Sequence, residues 1–226
     1  MTISMRLAAD LQCVAHQLAD AARETTLRHF RSPDMAAETK SAQGFDPVTL
    51  ADRETEARLR ALLADLRPDD GILGEEFDNH PGTSGLTWVI DPIDGTRGYL
   101  SGTPTWGVLI AVADDSGPVY GVIDQPYTGE RFTGGFGAAS LTGPMGTRPL
   151  ATRGARPLDQ AILFSTFPEI GTPAEHTAFA ALSGQVRLTR YGMDCYAYAL
   201  LALGQIDLVV EAGLQPYDIA APLAVI

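Results

Sequence analysis

Histidine, cysteine and positive charge are what this chain has least of. Its 226 residues hold four histidines and two cysteines, with 16 Lys and Arg against 28 Asp and Glu. The histidines (His16, His29, His80, His176) nowhere pair at metal-ligand spacing, which argues against imidazole catalysis or a histidine metal centre. Cys13 and Cys195 lie far apart with no CxxC, so neither a disulfide framework nor a zinc knuckle is expected, and a reducing cytoplasm is the expected setting. The net charge of −12 disfavours a nucleic-acid or anionic-membrane partner, which would select a basic face. Long apolar runs are missing too. Asp10 and Asp20 interrupt the N-terminal segment, so neither a signal peptide nor a membrane span is expected. No P-loop, HExxH or EF-hand spacing occurs.

What is present is a helical pattern, then a run of strands, then alternation. Leu7, Leu11, Val14 and Leu18 recur at helical spacing over residues 3–29. Asp46-Pro47 resembles an N-cap with proline at the first helical position, opening a second helix that carries Leu59, Leu62, Leu63 and Leu66. "ILGEEF" and "LTWVI" are expected strands that run into acid. "GVLIAVA", "PVYGVID" and "ERFTGG" continue the β pattern, with "DDSG" as a hairpin turn. The Gly-rich stretch from Gly134 to Arg156 reads as strand, loop and subdomain boundary. After it, strands ("AILFST", "VRLTR", "IDLVVEA") alternate with helices ("PAEHTAFAAL", "CYAYALLAL", "QPYDIAAPLAVI"). The expected architecture is α/β, helices and sheets in alternating layers, in two halves: 1–150 and 151–226.

Four acids stand at the ends of three of these apolar elements: Glu75 after "GILG", Asp91 and Asp94 after "TWVI", and Asp218 near the start of the last helix. Carboxylates gathered at strand ends repel one another unless cations neutralise them, and an all-oxygen set suits a hard ion such as Mg²⁺. In "WVIDPIDGT", Pro92 biases Asp91 toward extended backbone. The turn could then aim Asp91 and Asp94 at one point and free the Ile93 carbonyl. Gly95 permits close approach of a ligand, and amides of Gly95 and Thr96 at a helix start suit an anion. Each acid also has a plain reading: a solvated Pro-Asx-Gly turn for Asp91 and Asp94, a solvated acid for Glu75, a helix-dipole acid for Asp218.

Taken together, "DPVTLAD" (46–52), "GEE" (74–76), "DPIDGT" (91–96) and "YDIAAP" (217–222) resemble the ordered motifs of the inositol monophosphatase family. Tyr217 stands where that family carries tryptophan. Within the family, "LTWVIDPIDGTRGYLSG", "RLTRYGMDCYAYALLALG" and "IDLVVEAGLQPYDI" are most similar to the histidinol-phosphate phosphatase branch. The resemblance implies the inositol monophosphatase and fructose-1,6-bisphosphatase-like sugar phosphatase fold. It implies Mg²⁺, two or three ions per site with Mn²⁺ able to substitute, on Glu75, Asp91, the Ile93 carbonyl, Asp94 and Asp218. Asp52 and Thr96 would orient a metal-bound water for direct attack on a phosphomonoester. Gly95 and Thr96 would take the phosphate, and Lys40 would add positive charge. Asp194, Glu211 and Arg190 would meet the rest of a small-molecule substrate, L-histidinol phosphate. The alternatives are inositol 1-phosphate or another sugar phosphate, and a non-catalytic regulator that keeps the fold.

A homodimer is a further implication. Asp194 has a competing reading as the N-cap of "CYAYALLALG"; Arg190 and Tyr191 have one as packing residues; Tyr196, Tyr198, Leu200 and Leu201 read as core. Arg97 and Tyr99 receive no role beyond the rim. The family continues past the Asp218 helix, so a chain ending at Ile226 is expected to be a truncated form.

Overall fold

A computed structural model describes residues 3–32, 37–39 and 47–226, with side chains from 49 onward in the last segment. Helix α1 (Met5–His29) starts where the Ser4 hydroxyl accepts the Leu7 amide at 3.2 Å, and buries Leu11, Val14, Ala15 and Leu18 along one face. Strands β1 (Ala37–Thr39) and β2 (Pro47–Thr49) pair antiparallel. Helix α2 (Leu50–Leu66) follows. The expected helix start at Asp46-Pro47 is therefore corrected: Pro47 lies in a strand, Thr49 is the N-cap, and Asp46 is outside the described residues. Asp52 closes the cap box, its Oδ2 accepting the Thr49 amide at 2.8 Å and hydroxyl at 2.5 Å.

A seven-stranded sheet runs in chain order: β3 (Gly71–Gly74), β4 (Thr87–Asp94), β5 (Gly107–Asp114), β6 (Gly117–Gln125), β7 (Glu130–Gly135), β8 (Ala138–Gly143) and β9 (Gly146–Pro149). Only the β3–β4 pair is parallel. The Gly134–Arg156 stretch, expected as one strand, a loop and a boundary, holds a hairpin, β8–β9, that lengthens the sheet. Helix α3 (Thr96–Leu100) sits between β4 and β5.

The second half holds β10 (Ile162–Ser165) flanked in parallel by β11 (Leu188–Tyr191) and β12 (Leu208–Val209), with helices α4 (Pro173–Ser183), α5 (Asp194–Ala202) and α6 (Pro216–Val225). Alternation along β4 divides the cores. Trp88 and Ile90 pack with α1 and α2 on one face, whereas Val89 packs with Cys195, Ala199 and Ala221 of α5 and α6 on the other. The far side of α5 meets Phe164 and Ile206, and Phe179 of α4 covers Leu163. The layers are helix, sheet, helix, sheet, helix. α6 lies directly on the large sheet because Gly121 leaves room: a Cβ there would sit 2.5 Å from the Ala221 carbonyl oxygen.

Asp124, on β6, is wholly buried and is held by Arg23 Nη2 of α1 at 2.7 Å and Arg131 Nε of β7 at 2.6 Å. Asp124→Ala strands two guanidinium groups against the sheet. It is expected to cost about 3–5 kcal/mol of unfolding free energy in urea titration; a loss under about 1 kcal/mol would show the pair to be superficial.

Candidate active site

Strand β4 does not stop before its acids. It runs through Asp94, and its register against β5 shifts between Asp91 and Asp94. That bulge, at Pro92-Ile93, places both carboxylates on one side of the strand end. The Ile93 amide donates to Asp91 Oδ1 at 3.0 Å, which orients the side chain. Asp218 arrives from the first turn of α6, where its Oδ2 accepts the Gln215 amide at 2.7 Å. The dipole-facing acid and the site acid are the same residue. Asp91, Asp94 and Asp218 each offer an oxygen within 4.8 Å of the others.

Such convergence is unfavourable without a counter-charge. The Asp91 carboxyl, 2% exposed, is pushed well above the usual range by burial, then by Glu75, Asp94, Asp218 and Asp52 in that order. Asp94 is pushed up to about 8 by burial and then by Asp194, against the opposing pull of the Cys195 amide. Asp218 is raised by burial and by Glu75. Glu75 stands just past the end of β3, within electrostatic reach of two of the three. An all-oxygen, electrostatically frustrated set fits a hard divalent cation.

Thr96 directs its hydroxyl proton to the Ile93 carbonyl at 3.2 Å. Asp52 is buried nearby and contributes to the field on Asp91. Gly95 has φ +82°, and a Cβ on it would fall 2.7 Å from Asp194 Cγ. Glycine is required there both for the backbone and for the neighbour.

A cavity of about 350 Å³ opens beside the acids, walled by Gly95, Thr96, Asp194, Tyr198 and Glu211. Asp194 does not cap α5. The N-cap is Met193, and Asp94 Oδ2 takes the Cys195 amide at 2.6 Å instead. Burial raises Asp194 to about 6 against the pull of Arg97. Burial also raises Glu211, which accepts the Thr166 amide at 2.8 Å and hydroxyl at 2.9 Å. Arg190 is exposed on edge strand β11 and does not line this cavity. The arginine on the wall is Arg97, its guanidinium 4.8 Å from the Phe167 ring centroid. Tyr198, expected in the core, also reaches the wall, whereas Tyr196 donates to Glu130 at 2.6 Å. Lys40 lies outside the described residues.

The model of the inositol monophosphatase family matches residues 8–226. The chain belongs to the inositol monophosphatase family. Family membership brings metal dependence, in keeping with the acid cluster of this member. Among curated relatives, the chloroplastic bifunctional phosphatase IMPL2 of Arabidopsis thaliana is 36% identical over 215 residues, 94% of this chain and 60% of that protein. The histidinol-phosphatase of Mycobacterium tuberculosis is 36% identical over 212 residues, 92% of this chain and 80% of that one. The chain therefore spans three fifths of the Arabidopsis protein's length and four fifths of the mycobacterial one's. The solved inositol monophosphatase of Zymomonas mobilis superposes with a TM-score of 0.83 at 38% identity, covering 98% of this chain and 83% of its own. Among the described residues, no helix is long and apolar enough to cross a membrane.

Proposed function

We propose that the chain is a Mg²⁺-dependent phosphomonoesterase whose substrate is L-histidinol phosphate. The observation that carries the reading is the placement of two acid sets: Asp91, Asp94 and Asp218 converge at one end of a cavity, and Asp194 and Glu211 line its wall. Glu75, Asp91, Asp94, Asp218 and the Ile93 carbonyl hold the metal. A carbonyl has two lone pairs, so the bond from Thr96 leaves one for an ion. Bound there, divalent cations supply charge neutralisation at the phosphoryl oxygens and a lowered water pKa. The Gly95 and Thr96 amides receive the phosphate. The Thr96 oxygen, its own proton directed to the Ile93 carbonyl, would accept a hydrogen bond from the attacking water and so orient it, with Asp52 helping to fix that orientation. Asp194 and Glu211 receive the alcohol portion of the substrate. Histidinol carries an ammonium and an imidazole, and two carboxylates suit a cation better than a neutral polyol. The histidinol-phosphatase relatives support the same choice.

Inositol 1-phosphate is the second reading, favoured by the likeness to the Zymomonas inositol monophosphatase. Comparing kcat/KM for the two esters decides between them. A higher value for inositol 1-phosphate, or turnover that persists in EDTA, defeats the first reading. Glu211→Gln is expected to lower kcat/KM for histidinol phosphate about tenfold or more, the worth of one charge-assisted contact, while changing that for inositol 1-phosphate far less. Equal losses on both esters would show Glu211 to be structural.

A further inference from the structure

Asp52 is the first of three charged residues spaced one turn apart along one side of α2; Glu56 and Arg60 follow it. Glu56 is wholly buried. A buried carboxylate is costly unless it is paired and hydrogen-bonded. Both of its oxygens are engaged. Oε1 accepts Arg60 Nε at 2.8 Å, and Oε2 accepts the backbone amide of Glu76 at 2.7 Å. Arg60 in turn donates from Nη2 to the Phe77 carbonyl at 3.1 Å, and its guanidinium stands 5.7 Å from the Phe77 ring centroid.

These contacts fall on the backbone beside Glu75. The β3–β4 ladder has its last pair at Gly74 and Ile90. Past that pair the chain leaves the sheet, and Glu76 and Phe77 are tied to α2 instead. Gly74 shows how closely the two elements meet. A Cβ there would lie 2.1 Å from Glu56 Oε1 and 2.9 Å from Arg60 Nη2, so any side chain at 74 would displace the carboxylate. Stability alone does not call for such a pair, since apolar residues of similar volume serve a buried position as well. What the carboxylate adds is a fixed place for one backbone amide, next to the acid that closes the metal set.

We infer that Glu56 and Arg60 are positioning residues of the metal centre: they clamp the turn after β3 and so fix where the Glu75 carboxylate stands relative to Asp91. The inference rests on the reading that Glu75 holds the cation. Carboxylates that bind a metal are themselves oriented by further hydrogen bonds, and here the orientation is applied through the main chain. The charge of Glu56 is met by Arg60, so the clamp orders the acids without adding net charge to them.

Calorimetric titration of the metal-free full chain with Mg²⁺ reads the clamp without turnover. Glu56→Gln offers one acceptor oxygen where two donors converge, and is expected to weaken Mg²⁺ binding about tenfold or more. Arg60→Lys keeps the charge but loses the fork that serves Glu56 and Phe77 together, and is expected to weaken it about threefold. Asp70→Asn is the control. It alters another buried acid, held by Arg67 at the opposite end of β3, and is expected to leave Mg²⁺ affinity unchanged. Wild-type affinity in Glu56→Gln overturns the inference; should that variant not fold, wild-type affinity in Arg60→Lys does so. An equal loss in Asp70→Asn also overturns it, because the fold would then be loosened generally. Glu75→Gln separates the clamp from the metal reading. A loss there with none in the clamp variants defeats the clamp alone, whereas full Mg²⁺ affinity in Glu75→Gln defeats the metal reading and the clamp with it.

Discussion

Asp91→Asn is expected to lower phosphate-ester turnover by about a thousandfold or more and, in the same protein, to raise the melting temperature of the metal-free form at pH 8. The two effects have one cause. Asp91 is buried among Glu75, Asp94, Asp218 and Asp52, all of which oppose its charge. In the unfolded chain it is ionised at pH 8. Folding without metal must either bury that charge or bind a proton, and both cost free energy. Asparagine keeps the shape and an oxygen for the Ile93 amide, and removes the cost. About 1 kcal/mol of relief corresponds to about 2–4 °C for a chain of this size. A steady-state assay and a thermal melt in EDTA measure the two arms. Retained turnover, or a lower metal-free melting temperature, would remove Asp91 from the metal site.

The wild-type protein is expected to show the same conflict as a pH dependence. Asp94 rises from 3.8 to about 8 on folding, and Asp91 and Asp218 move the same way. A folded value above the unfolded one means that the contribution to stability is fully present below the unfolded pKa and is lost as pH climbs through the folded one. In EDTA, the melting temperature should therefore fall by at least about 5 °C between pH 5 and pH 8. Carboxylates shifted the other way, such as Glu24, Glu54 and Glu175, lose their contribution only at more acidic pH and leave this window clear. Added Mg²⁺ should restore stability, and restore more of it at pH 8 than at pH 5, because ionised carboxylates bind the cation better. A melting temperature flat with pH in EDTA would mean that the acids do not strain the fold.

Asp91, Asp94 and Asp218 were legible in the sequence because their signal is local: charge where an apolar element should have ended. Helix α1 was legible for the same reason, through its period. The continuation of β4 through Asp94 was not, since a bulge between two aspartates looks like a turn until the partner strand shows its register. The β8–β9 hairpin was missed because an edge hairpin rich in Gly and Thr, with β9 exposed throughout, buries too little to print an alternating pattern. Arg97 was read only as a rim residue, Phe167 was missed, and Arg190 does not line this cavity, for one reason: the wall assembles from segments far apart in sequence, and nothing local marks which arginine will face it. Glu211 was found only through family likeness; Thr166, which positions it, carried no signal at all.

A hydrogen bond joins the sheet to α5 at this site: the Cys195 amide on Asp94, reaching across 101 residues. The sheet half supplies Asp91 and Asp94, and the second half supplies Asp194, Thr166 and Glu211 on the wall. On the function proposed above, a substitution in the wall would change which alcohol is met while the acids at the strand end stay in place, and the Asp94–Cys195 bond keeps the wall in register with them.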